Sequence, residues 1–345
     1  MIEKSIEQRI DRLQAGGIID MHFDLLMDLY EKRERKNVLK TEFLPEIEAG
    51  NIGVVGVAIY IEDRYLPDAA LRVALDQIAR LCVETHACPR FVICRTYQDI
   101  QKAGQEGKIA LLITMEGAEP LGTDLNLLRI FYEIGVRSIG LTHARSNAAG
   151  HGGIFASSGS PPEGLSEFGR NLLRECDALG MIIDLAHINP AGFKDILSIT
   201  TKPPIVSHTN VRRYYDIERN ISDEQVKMIG ERRGVIGVNS VLVSPNAEQS
   251  TLDHYVDHIE YIANLIGIDG VAVGFDFFEF IYSRWPESAK RELAEKLTTP
   301  QFIPDLRNHS HACNLTRKLV ERGFHDEQIE KILRGNWLRI FKEWL

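Results

Sequence analysis

The chain has 345 residues and a mass of 39.0 kDa, room for two average domains or for one large α/β barrel. Its residues are 44% hydrophobic and 26% charged, the balance of a globular protein, and a formal net charge of -9 argues against a nucleic-acid partner or an anionic membrane surface. Five cysteines (Cys82, Cys88, Cys94, Cys176, Cys313) are odd in number and form no CxxC pair, so neither a disulfide framework nor a zinc finger is expected.

Residues 1–14 are charged and helix-like and lack the apolar centre of a signal peptide, and no run reaches the ~20 apolar residues of a membrane span. The expectation is a cytoplasmic, unanchored protein. Residues 18–24 form a short apolar run that ends in His22-Phe23-Asp24, and a strand would project His22 and Asp24 to the same side. Residues 28–40 are rich in charge and read as a surface loop or helix. A continuous apolar run at 54–60 has the character of a strand covered on both faces. Helical spacing covers 68–83, and 91–94 reads as a short extra strand.

The pattern then repeats. A strand at 109–115 ends at Glu116-Gly117, a helix at 125–134 ends at Gly135, and a strand at 138–142 ends at His143. A Gly/Ser/Pro-rich insert at 147–164 reads as a loop over a site, with His151 as a weak candidate for substrate contact. A helix capped by Ser166 runs to Gly180, and strands at 181–186 and 204–207 end at His187 and His208. A helix begins at 222, a strand covers 234–239, and a helix carries Tyr255, Ile259 and Ile262 on one face. The eighth run, 271–274, is followed by Phe275-Asp276, and helices close the chain, the last opened by Gly335-Asn336.

Eight strand-length runs alternating with helices predict a parallel sheet, and the polar residues that end them predict a (β/α)8 barrel, whose catalytic face lies at the C-terminal strand ends. The expected organisation is a single barrel domain over 1–345 with helices from about 311 packed against it. A doubly wound sheet is the alternative, but no Gly-x-Gly-x-x-Gly turn follows a strand.

His22, Asp24, Glu116, His187 and His208 are nitrogen and oxygen ligands of the kind that suit zinc. Five exceed one tetrahedral ion, and a shared Glu116 resolves the count. One ion would take His22, Asp24 and Glu116, the other Glu116, His187 and His208, with a hydroxide between them for hydrolysis. Asp276 is left over for proton transfer and His143 for an oxyanion, while Arg212, Arg213 and Arg219 all remain candidates for gripping a substrate carboxylate. His86, His254, His258, His309, His311 and His325 are read as solvated.

These residues resemble the membrane (renal) dipeptidase family of metallopeptidases. The likeness is carried by Ile19-Asp20-Met21-His22-Phe23-Asp24, Met115-Glu116-Gly117, the stretch from Gly135 to His143, Gly164-Leu165-Ser166-Glu167-Phe168-Gly169, Ile182 to His187, Val206-Ser207-His208, Arg219-Asn220-Ile221-Ser222-Asp223, Gly274-Phe275-Asp276-Phe277 and Gly335 to Arg339. The resemblance implies two zinc ions bridged by Glu116, substrate binding by His143 and Arg219 with Asn220 beside it, and Asp276 as acid/base. It also implies hydrolysis of dipeptides, some with a D-residue at the C-terminal position, by a homodimer. Two departures stand out: Met21 and Phe23 where the family usually has Gly and Asn, and Phe278-Glu279 where it has an acidic residue and Gly. With Phe275 and Phe277 these phenylalanines are expected to crowd the rim and alter substrate choice. The competing functions are the same metal barrel acting on another small amide, lactam or ester, and a catalytically silent binding barrel.

Overall fold

A computed structural model describes residues 2–153, 163–296 and 298–345. Most of the 147–164 insert lies outside the described residues. The strands are β1 (Ile18–Phe23), β2 (Ile52–Ile59), β3 (Phe91–Ile93), β4 (Ile109–Glu116), β5 (Val136–Gly140), β6 (Ile182–Asp184), β7 (Ile205–Thr209), β8 (Val235–Val238) and β9 (Val271–Val273). Eight of them pair side by side, all parallel, in the order β1-β2-β4-β5-β6-β7-β8-β9, while β3 pairs with β4 off this path. This is the (β/α)8 barrel expected from the alternation. The strand residues are almost all buried, which explains their continuous rather than alternating apolar sequence.

The helices follow local chemistry. Ser166 accepts the Gly169 N–H at the start of Glu167–Leu179, and Gly180 ends that helix at φ 74°, where a side chain would be strained. Ser222 and Gln225 form a capping box at the start of Asp223–Glu231. Of the charged 28–40 region only its start, to Glu31, belongs to the helix Leu25–Glu31, and its Asp28 is buried against Lys32 and Arg284. The C-terminal helix Asn336–Trp344 is tied under β9, since Asn336 donates to the carbonyls of Ile268 and Val271 at 2.8 Å and the Trp337 indole to Val273 at 2.8 Å. Among the described residues, no helix is long and apolar enough to cross a membrane.

Closure between β9 and β1 depends on a side chain. Asp20 Oδ1 accepts the Phe275 N–H at 2.8 Å and the His22 N–H at 3.3 Å, while the Asp276 N–H reaches the His22 carbonyl at 3.3 Å. Asp20 Oδ2 in turn meets His309 Nε2 at 2.8 Å. His309 is fully buried, contrary to its expected solvation, with Phe23 and Phe277 edge-on at 4.5 and 5.0 Å. Those two rings, and Phe275 stacked on Phe277 at 4.8 Å, therefore belong to the core and not to the rim. Alternation explains it: His22 and Asp24 point to the barrel mouth, so Phe23 between them points to the helical layer. His258 is also buried, not solvated. It accepts the Val211 N–H at 3.1 Å and pairs with the Val243 carbonyl at 2.9 Å, joining the loops after β7 and β8.

Replacing Asp20 by Ala would strand His309 and two backbone N–H groups in the core, each worth about 1–3 kcal/mol. The expected outcome for Asp20→Ala is a loss of about 3 kcal/mol or more, measured from the denaturant midpoint at unchanged slope. A loss under about 1 kcal/mol would contradict the closure described.

Candidate metal centre

Every candidate ligand sits at the carboxyl end of a strand. His22 and Asp24 end β1, Glu116 is the last residue of β4, and His208 is the penultimate residue of β7. His143, His187 and Asp276 each lie three residues past β5, β6 and β9. His187 and Asp276 hold φ of 65° and 57°, a left-handed conformation that non-glycine residues rarely adopt and that concentrates at functional sites.

Glu116 is the hub. Its Oε1 lies 2.9 Å from His187 Nε2, 3.4 Å from His208 Nε2 and 3.7 Å from His22 Nε2. His22 Nε2 is also 3.8 Å from Asp24 Oδ1 and 3.9 Å from Asp276 Oδ1, and the Nε2 atoms of His187 and His208 are 3.0 Å apart. Metal bonds of about 2.0–2.1 Å at a tetrahedral angle would put donor atoms roughly 3.3 Å apart, so these spacings suit ligands converging on cations. Three groups of donors within 4.8 Å emerge: His22, Asp24 and Glu116; Glu116, His143 and His187; and His22, His208 and Asp276. Neighbours hold the rings in place: Ser207 Oγ meets His208 Nδ1 at 2.7 Å, and the His22 and His208 rings stack at 3.6 Å.

Burial leaves this set electrostatically incomplete. It pushes Asp24 up to about 7. It raises Glu116 and Asp276 well above the carboxylate range, reinforced by the Asp24 charge. It also drives His22 down to about 3 and His143, His187 and His208 well below the ordinary imidazole value. The result is three buried acids facing four neutral imidazoles, with Asp24 Oδ1 and His187 Nδ1 lacking any hydrogen-bond partner. Divalent cations satisfy such a set; the residues present fit them.

The remaining candidates separate clearly. Arg219 lines the cavity, is buried, and lies 4.0 Å from Asp276 Oδ2, with its Nη1 unpartnered. Arg212 is instead spent on the Asn220 carbonyl at 3.0 Å. Asn220 does not line the cavity: its amide donates to the carbonyls of Tyr215 at 2.9 Å and Leu242 at 3.4 Å, which fixes the loop that carries Arg219. His151 sits outside the lining, against Ser146 Oγ at 2.7 Å.

Sequence reasoning passed over two polar residues. Tyr60 lines the cavity, packs on His143 at 4.7 Å and receives an Arg145 hydrogen bond of 3.1 Å. Asn239 donates to Asp276 Oδ2 at 3.4 Å. Both end predicted strands, so the positional rule that picked out the ligands would have found them. The cavity, about 160 Å³, suits a small molecule.

A parallel barrel whose carboxyl ends converge buried acids and imidazoles in this way has the donor set of a metal-dependent enzyme. The chain belongs to the membrane dipeptidase family (peptidase family M19), whose model matches residues 7–289. It is 30% identical over 316 residues to an uncharacterized dipeptidase of Schizosaccharomyces pombe, an alignment covering 87% of this chain and 71% of that one. It is 28% identical over 314 residues to the dipeptidase tcpJ of Claviceps purpurea, covering 87% and 68%. Among solved structures, a metallopeptidase described as dipeptidase AC superposes with a TM-score of 0.82 at 26% identity, covering 95% of this chain and 98% of that one. A Rhodobacter sphaeroides metallopeptidase liganded with a phosphinate mimic of L-Ala-D-Ala shares the fold at a TM-score of 0.82 and 24% identity, covering 95% and 99%.

Cation loading should release protons from carboxyls. At about pH 6 the Asp24 carboxyl, held near 7, is mostly protonated, whereas His22, held near 3, is already neutral. Affinity for a divalent cation is expected to rise as pH increases through about 7, where Asp24 loses its proton. Calorimetry in buffers of different ionisation enthalpy should register net proton release at pH 6, and affinity independent of pH would contradict the raised carboxyls.

Proposed function

We propose that this dipeptidase-family chain hydrolyses dipeptides with two zinc ions, His22, Asp24 and Glu116 holding one and Glu116, His187 and His208 the other. The observation that carries the reading is the position of Glu116 Oε1, within 2.9–3.7 Å of imidazole nitrogens from both sets. When bound, such ions supply Lewis acidity toward the peptide carbonyl and lower the pKa of water.

The chain's own groups do the rest. Arg219, with a buried and unpartnered Nη1, takes the substrate carboxylate and fixes the scissile bond over the site. His143, kept neutral by burial, has one N–H to donate to the oxygen that becomes negative as the carbonyl is attacked. Asp276 takes the proton lost by the attacking water as the C–O bond forms, and returns it to the amine nitrogen as the C–N bond breaks. Its affinity for a proton, raised by burial and by Asp24, favours taking the proton from water. Asn239 orients it. The L-Ala-D-Ala mimic bound by the Rhodobacter relative brings dipeptides with a D-residue at the C-terminal position into the expected substrate range.

The test combines elemental analysis with a panel of L-L and L-D dipeptides. Close to two ions per chain and cleavage abolished by chelation are expected, and Asp276→Asn should lose about 10²–10⁴-fold in kcat at unchanged metal content. Two ions with no dipeptide cleaved would move the substrate to another amide, lactam or ester. Unchanged turnover in Asp276→Asn would remove the acid/base role.

A further inference from the structure

The cavity has two kinds of lining. Besides the polar groups it carries an apolar wall formed by Met27, Phe278, Ile281, Trp285, Leu293 and Pro300. Phe278 lies two residues beyond Asp276, so the wall begins where the proton-transfer group ends.

The wall is built and braced. Phe278 and Trp285 belong to a four-ring cluster with Tyr282 and Phe302, with centroids 6.4 Å apart for Phe278–Trp285, 5.5 Å for Phe278–Phe302, 5.8 Å for Tyr282–Trp285 and 5.7 Å for Tyr282–Phe302. Phe302 is bridged to Val241 in the loop after β8, which fastens the cluster to the barrel. The nearby charges have partners of their own: Arg284 pairs with the buried Asp28, Arg307 Nε pairs with Glu279 at 2.7 Å, and Lys290, 5.5 Å over the Tyr282 ring, pairs with Glu287 at 3.0 Å. Half-buried aromatic faces next to a reaction centre make a surface that gains from being covered, and they offer no group to match a charged side chain.

We infer that this wall is the subsite for one side chain of the dipeptide, and that it selects dipeptides carrying a large apolar or aromatic residue. The inference rests on the dipeptidase reading above and adds the substrate class to it. Phe278 lines the same cavity as Glu116 and Asp276, so a dipeptide held over those carboxylates shares its enclosure with the apolar wall. Covering Phe278 and Trp285 removes apolar area from water on both partners, a gain that an alanine methyl largely forfeits and an ionised side chain reverses.

The experiment compares kcat/KM for Phe-Ala and Ala-Phe with Ala-Ala, Asp-Ala and Ala-Asp in the metal-loaded parent and in Trp285→Ala. The parent is expected to favour one phenylalanine dipeptide over Ala-Ala by at least about tenfold, with the aspartate counterpart poorest. Trp285→Ala should shrink that ratio to within about threefold. The readout is a ratio within one preparation, which partial misfolding does not move. A parent that cleaves all five at similar rates overturns the inference and leaves the dipeptidase reading standing. A preference unchanged in Trp285→Ala overturns the placement at this wall. Cleavage of none of the five overturns the dipeptidase reading and the inference with it.

Discussion

A carboxylate buried beside two other carboxylates is stable as an anion only if positive charge reaches it, and Glu116 is held in that position at the end of β4. The imidazoles of His187, His208 and His22 surround its Oε1 at 2.9, 3.4 and 3.7 Å, and burial keeps all three neutral. Arg219 is the buried guanidinium at hand, and it stands 4.0 Å from Asp276. The architecture therefore leaves a charge deficit that cations can fill, and their chemistry is what a hydrolase of this family requires.

The barrel's role is to hold that deficit in place. Parallel strands buried on both faces leave their carboxyl ends as the concave surface where side chains from six strands can meet. The seam between β9 and β1 places its bridging group, Asp20, one hydrogen bond from the backbone of His22 and of Phe275, the neighbour of Asp276, with His309 behind it. Stability at the seam and geometry at the site are thus linked through the same carboxylate. His187, a proposed metal ligand, and Asp276, the proposed acid/base, sit in left-handed backbone conformations that the surrounding fold must impose.

Much of this was legible in the sequence because the barrel ties side-chain chemistry to strand ends. Eight apolar runs marked eight strands, and His22, Asp24, Glu116, His143, His187, His208 and Asp276 followed from where those runs stop. Strand boundaries moved by at most two residues, as at Val136–Gly140 against 138–142, because register with neighbours sets where pairing begins and periodicity does not. The errors have a common origin in long-range packing. His309 and His258 looked solvated, since nothing local tells that Asp20 or the Val211 N–H will arrive from elsewhere in the chain. Phe23 was placed at the rim although strand alternation already turned it away from His22. The apolar wall was legible only in part: Phe278 was expected at the rim and lines the cavity, but Ile281 and Leu293 lie on short helices and Trp285 in the bend between them, and no sequence pattern announces their docking over the cavity.

The central claim is that one carboxylate serves two cations. Anomalous diffraction from crystals of the zinc-loaded chain, collected above and below the zinc edge, tests it directly. The account predicts two peaks roughly 3.5–4 Å apart with Glu116 between them, His22 and Asp24 against one and His187 and His208 against the other. A single peak, or two peaks with Glu116 bound to only one of them, would contradict it.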